Sequence, residues 1–191
     1  MSIEFSKAQD SVSAGLVANR NGADGVQAGG VFTVTCVGAD GQVKWIDTFH
    51  NLVVNKGLQD MNSKYFSGSG YSAAWYLGLI TGPGAGNTYA AADTLASHAG
   101  WTENTNYTGN RKSVTFGTAT TADPSVITNS GSPSSFVINT NAQTIAGAFL
   151  TSVNTGTSGI LFSEGNFTGG DKSVDSGDTL NVTYTFSLDA A

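Results

Sequence analysis

The chain is short of charge, cysteine and long apolar runs, and each shortage closes off a class of protein. Only 12% of its 191 residues are charged, and the eight Lys and Arg stand singly apart from the pair Arg111-Lys112. Nucleic-acid binding draws its affinity from clustered cations that release counterions from phosphate, so direct recognition of DNA or RNA is not expected. A single cysteine, Cys36, excludes an intrachain disulfide and a cysteine-cluster metal site. Its place in the alternating run VFTVTCV makes it a packing thiol. No stretch approaches the roughly 20 apolar residues of a membrane helix, and the opening MSIEFSKAQDSVSAG holds no signal-peptide core. The expectation is a soluble protein made in the cytoplasm, with no membrane partner.

What is present is a moderately apolar, turn-rich sequence: 39% hydrophobic, ten Phe, and much Gly, Ser, Thr, Asn and Ala, with a net charge of −6. A chain of this length can bury well over half of its unfolded surface, and its aromatics argue against disorder. Residues 1–30 are polar and show no sustained period, which predicts an extended N-terminal arm that orders only against a neighbour. From Val31 a period-two pattern begins. VFTVTCV, the turn former Gly38-Ala39-Asp40-Gly41 and QVKWIDTF read as a β-hairpin. In HNLVVNKGLQDMNSKYF, the residues Leu52, Leu58, Met61, Tyr65 and Phe66 fall at spacings that place them on one side of a short helix. The segments AAWYLGLI, RKSVTFGTAT, PSSFVINT, TIAGAFLTS, GILFSEGNF and DTLNVTYTFSL follow as further strands. About eight short strands with turn signals between them predict an all-β domain over 31–191, a β-sandwich or jelly roll with one short helix.

Chemistry is sparse. In DTLASHAGWTENTNY, at 93–107, Asp93, Ser97 and His98 make a nominal hydrolase triad. Triads are assembled from separate loops, and no Gly-x-Ser-x-Gly elbow presents a nucleophile. The same residues read better as a shaped loop. Asp93, Thr94 and Ser97 form turn bonds, Gly100 permits an unusual dihedral, Trp101 anchors the loop in an apolar pocket, and Glu103 pairs with Arg111 at the surface. His50 and His98 are the only imidazoles, too few for a zinc site without carboxylates from elsewhere. Gly82-Pro83-Gly84-Ala85-Gly86 lacks the Gly-Lys-Ser/Thr of a phosphate loop. Asp171, Asp175 and Asp178 offer hard oxygen ligands for calcium but depart from the EF-hand spacing. Trp75 and Tyr76 are adjacent, so on a strand they point to opposite faces, and at least one is a candidate partner contact or part of a sugar-stacking platform. A non-enzymatic protein without a metal or other cofactor is expected.

Three segments, in order and with comparable gaps, carry a likeness to a known family. They are Trp45 with Asn51-Leu52-Val53 and Lys56-Gly57-Leu58; Trp75-Tyr76-Leu77-Gly78-Leu79 leading through the Gly-rich turn to ADTLASHAGWTENTNY and Arg111; and TIAGAFL, GILFSEGNF and Gly177-Asp178-Thr179-Leu180 near the C-terminus. Over 31–191 the chain resembles small tailed-bacteriophage virion structural proteins, described as head decoration or tail-fibre-like proteins. The resemblance implies a virion component with no catalytic residues. The expected role is a capsid decoration or cement protein on the outer surface of the head, a dimer or trimer partnered by the major capsid protein. A tail-fibre-associated protein or adhesin is the alternative.

Overall fold

The computed structural model describes residues 25–67 and 71–190. Residues 1–24, most of the segment read as an arm, lie outside the described residues. The chain runs through β1 (Val26–Val37), β2 (Val43–His50), β3 (Leu52–Val53), α1 (Asn55–Phe66), β4 (Tyr76–Thr81), β5 (Glu103–Asn104), β6 (Lys112–Ser113), β7 (Ser125–Thr128), β8 (Ser134–Val137), β9 (Gln143–Thr151), β10 (Leu161–Asn166), β11 (Lys172–Val174) and β12 (Thr179–Ala190). The first strand thus begins at Val26, inside the segment read as arm, and pairs with β12 from Val26↔Ala190 to Val37↔Thr179.

Two sheets form, and every pairing in them is antiparallel. The first has five strands in the order β2-β1-β12-β7, with β8 also on β12; the second has seven, β3-β10-β9-β4-β5, with β11 on β9 and β6 on β4. β7 and β8 pair with successive stretches of β12. At the junction the Asn129 side chain completes the ladder, accepting from Tyr184 N at 2.7 Å and donating to Val182 O at 3.2 Å.

The sheets share one core, in which Phe32, Val34 and Phe49 of the first meet Leu77, Leu79, Ile145 and Leu150 of the second. Phe32 stacks on Phe49 at 5.1 Å and lies 4.7 Å from the Tyr184 ring, an arrangement worth more than its buried area alone. A second, smaller core covers the opposite face of the second sheet, where Ile80, Ala146 and Phe149 are capped by Leu95 and Trp101 from the long β4–β5 connection.

The predicted β-sandwich or jelly roll of about eight strands is corrected here. There are twelve strands among the described residues, and neither sheet closes on itself, as a jelly-roll barrel requires: β2 and β7/β8 edge the first, β3 and β5/β6 the second. Each of the eight segments read as strands contains one. The additional four, β3, β5, β7 and β11, have two to four residues each, too few to display a period.

The helix forms where expected, but Leu52 falls on β3 before it, and of the side read as apolar only Met61 packs inward. Gly57 is buried because α1 lies directly on β10, where a Cβ would sit 2.7 Å from the Phe162 carbonyl oxygen. Asp60, Met61 and Lys64 share that side, while Leu58, Tyr65 and Phe66 face solvent. Close backbone contact, available only at glycine, turned the helix against its hydrophobic spacing.

Candidate functional site

The stretch 93–107 contains no catalytic relay. Asp93 Oδ2 accepts from Ala90 N at 3.1 Å, and Thr94 and Ser97 form a two-way backbone bridge at 3.0 Å. His98 stacks on Trp101 with ring centroids 3.8 Å apart, and its Nδ1 donates to Trp101 O at 3.2 Å. The imidazole is thereby spent on the loop's own anchor, and the acid on its turn. Gly100 does not take a left-handed dihedral; it lets the loop close on itself, since a Cβ would collide with the Thr88 carbonyl oxygen.

Trp101 is buried, packs 4.9 Å from the Phe149 ring and donates from Nε1 to Glu164 Oε2 at 2.7 Å. Glu164, on β10, is fully buried, and its Oε1 has no hydrogen-bond partner. Desolvation first, and the nearby Asp93 carboxyl after it, push its pKa up to about 8, which favours the protonated acid. Sequence reasoning missed it. The signal available was a lone carboxylate inside the apolar run GILFSEGNF.

Arg111 and Glu103 form a bidentate pair, Nε to Oε1 at 2.8 Å and Nη2 to Oε2 at 2.7 Å. The pair is not the surface contact expected, because Arg111 is buried, lies over the Phe149 ring at 5.3 Å and donates from Nη1 to Val153 O and Gly156 O. It ties the loops at 103, 111 and 153–156 together, a positioning role.

The three aspartates of the calcium candidate turn apart. Asp171 accepts from Gly84 N, Asp175 from Ala142 N, and Asp178 from Lys44 Nζ at 2.6 Å and from Asp175 N. No cluster of three or more His, Cys, Asp or Glu that could hold a metal ion occurs among the described residues. Asp47, overlooked in the sequence, carries the first sheet onto the loop after β10, accepting from Thr168 N at 3.0 Å and Gly169 N at 2.9 Å beside Lys172. Cys36 is buried in the main core, and burial, then Asp178, push its thiol up to about 11. No helix of the described residues is long and apolar enough to cross a membrane.

Two surfaces of the sheets have the means to meet a partner. Trp75 and Tyr76 are both half-buried, and they part company: Trp75 packs 5.2 Å from the Phe162 ring and borders a cleft of about 200 Å³, which Tyr76 does not line. Phe116, Phe162, Tyr184 and Phe186 share the lining with Met61, Tyr71, Ile127 and Leu150, and Asp60 and Lys64 of α1 stand in the wall.

The second surface is the outer face of the first sheet. Four of its cross-strand rows are His50, Val31, Thr185 and Thr128; Thr48, Thr33 and Thr183; Ile46, Thr35, Asn181 and Ser135; and Val43, Val37, Thr179 and Val137, and the face continues through Gly29, Ser187 and Val126 to Gln27 beside Asp189. No Asp, Glu, Lys or Arg stands in the first four rows; Asp189 is at the far end of the face. Neighbouring hydroxyls pair within them, Thr33 with Thr48 at 3.1 Å and Thr185 with Thr128 at 3.0 Å, which fixes their rotamers. Ile46 is 60% exposed at the β2 edge.

Comparison of the chain with protein-family models, with curated proteins and with solved structures gives no match.

Proposed function

We propose that the protein is a bacteriophage virion structural protein that decorates the outside of the head and bridges major capsid subunits. The observation that carries this reading is a run of four rows on the outer face of the first sheet that hold no formal charge, in a chain of net charge −6. Charge is what protein contact surfaces shed at their centres, and a rigid array of threonine hydroxyls and β-branched methyls suits a wet, hydrogen-bonded contact. The family resemblance of residues 31–191 supplies the setting. A protein that binds the assembled lattice and not separated subunits stabilises the closed shell by linkage, and many copies of modest affinity suffice for it.

Immunogold electron microscopy of intact virions, with antibody against residues 31–191, tests the reading. Label spread over the head supports decoration, and the Thr183→Lys protein should then fail to add back to heads that lack it. Label confined to the tail favours the second reading, a fibre-associated adhesin, for which the aromatic cleft beside Trp75 is the supporting feature. No label from an antibody that detects the native protein removes both.

A further inference from the structure

We infer that α1 is a contact between two copies of this chain, packed antiparallel about a two-fold axis at Asn62. The inference stands apart from the capsid reading and rests on the inverted helix. At 100° per residue, the side of α1 turned away from the body carries Asn55, Leu58, Gln59, Asn62, Ser63, Tyr65 and Phe66. Leu58 is 40% exposed, Tyr65 84% and Phe66 79%. Half of the exposed large hydrophobic side chains among the described residues thus belong to this helix or to Tyr71 just beyond it. Meanwhile Asp60 and Lys64 are half-buried on the inward side, and Lys56 sits at the flank. A solvent-exposed helix normally distributes these residues the other way round.

The pattern is its own complement. Leu58 and Phe66 lie four residues either side of Asn62, and Gln59 and Tyr65 three. An antiparallel pairing centred there sets Leu58 against Phe66 of the partner subunit, Gln59 against Tyr65 of the partner subunit, and the two Asn62 amides against each other. The central amide pair would fix the register, as a single polar residue does in paired helices. Charge favours the same occupant. Two chains of net charge −6 repel wherever charged faces meet, and this side brings only the Lys56 ammonium, held at its flank by Gln59 Oε1 at 2.8 Å, too little counter-charge to select an acidic or basic protein. The surface is isologous, so it closes at two copies.

A 12-residue helix is about 18 Å long, so the contact is at the small end of specific interfaces and the dimer should be concentration-dependent. Sedimentation velocity of the full chain over a concentration series is the test, with monomer giving way to dimer as the expected result. Phe66→Lys should raise the dissociation constant about tenfold or more while leaving the melting temperature in place, because the ring is exposed in the monomer and a cation is favourable near a helix C-terminus. Under mild oxidant the Asn62→Cys variant should form a covalent dimer, Cys36 being buried, whereas Val137→Cys on the outer sheet face should not. A wild-type chain that stays monomeric at every concentration overturns the inference. So does a Phe66→Lys protein that dimerises as well as wild type, or cross-linking through Val137→Cys and not through Asn62→Cys.

Discussion

β1 and β12 run side by side over twelve residues, rings and branched chains inward and hydroxyls outward, whereas β9, a central strand of the second sheet, is buried on both faces from Ile145 to Thr151. The first sheet meets water across one whole face, and the second only at its edge strands. Both bury polar groups, Asp47, Asn129, Ser134 and Asp178 in the first sheet or its connections and Asn104, Arg111, Thr151, Ser163 and Glu164 in the second, but the most deeply buried carboxyl, Glu164, is in the second. A sheet exposed on one side has its register set by alternation, since a slip of one residue would turn every ring outward. A sheet covered on both sides loses that code, and directional bonds such as Arg111 with Glu103 and Trp101 with Glu164 take over the task.

The largest test of this contrast is Trp101→Ala. The substitution empties part of the smaller core and leaves Glu164 Oε2 without its donor, so denaturant unfolding should show a loss of about 3–5 kcal/mol. A loss below about 1 kcal/mol, the size of a minor surface change, would make the loop a dispensable cover and the contrast superficial.

Glu164→Gln is intermediate and depends on pH. In the fold the acid holds its proton up to about pH 8; in the unfolded chain it releases it near the ordinary value of 4.5. Below 4.5 both states are protonated and the preference of the fold for the neutral acid is fully present. Between 4.5 and 8 stability falls as pH rises, by at most about 1.4 kcal/mol per unit, and above 8 the loss is complete. The Gln variant should flatten that slope and be the more stable protein at pH 8. Equal slopes in the two proteins would mean that Glu164 is ionised in the fold.

The smallest effect is expected at Thr183→Lys on the open sheet, within about 0.5 kcal/mol of wild type in the same unfolding measurement. A large loss there would show that the hydroxyl rows hold the sheet together, and that they are not a surface kept free for a partner.

The same contrast decides how far the sequence could be read. The hairpin of β1 and β2 and the last strand were legible because one side of each is wet, and Leu180, Val182 and Tyr184 alternate visibly with threonines and asparagine. The second sheet was legible only in its longer apolar runs. Two-residue β5 carries no period, and Glu164 in β10 resembles a solvent-facing charge when read in one dimension. The helix shows the limit from the other direction. Its hydrophobic spacing was real, yet its orientation followed from Gly57 meeting the backbone at Phe162, a contact between residues about a hundred positions apart. Trp101 and Arg111 drew attention through their residue types, but the groups that satisfy them, Glu164 and the carbonyls of Val153 and Gly156, lie on segments that sequence proximity does not connect.

The longest ladder of the molecule also sets a timetable for its making. β1 precedes β12 by about 140 residues, so a ribosome adding roughly 5–20 residues per second leaves it without its main partner for about 10–30 s. Throughout that interval the nascent chain can offer the hairpin of β1 and β2 with one edge open. A protein required in many copies at once would fill the cell with such half-finished edges. On that account, crowding of nascent chains during rapid expression should set its soluble yield more strongly than the stability of the finished fold.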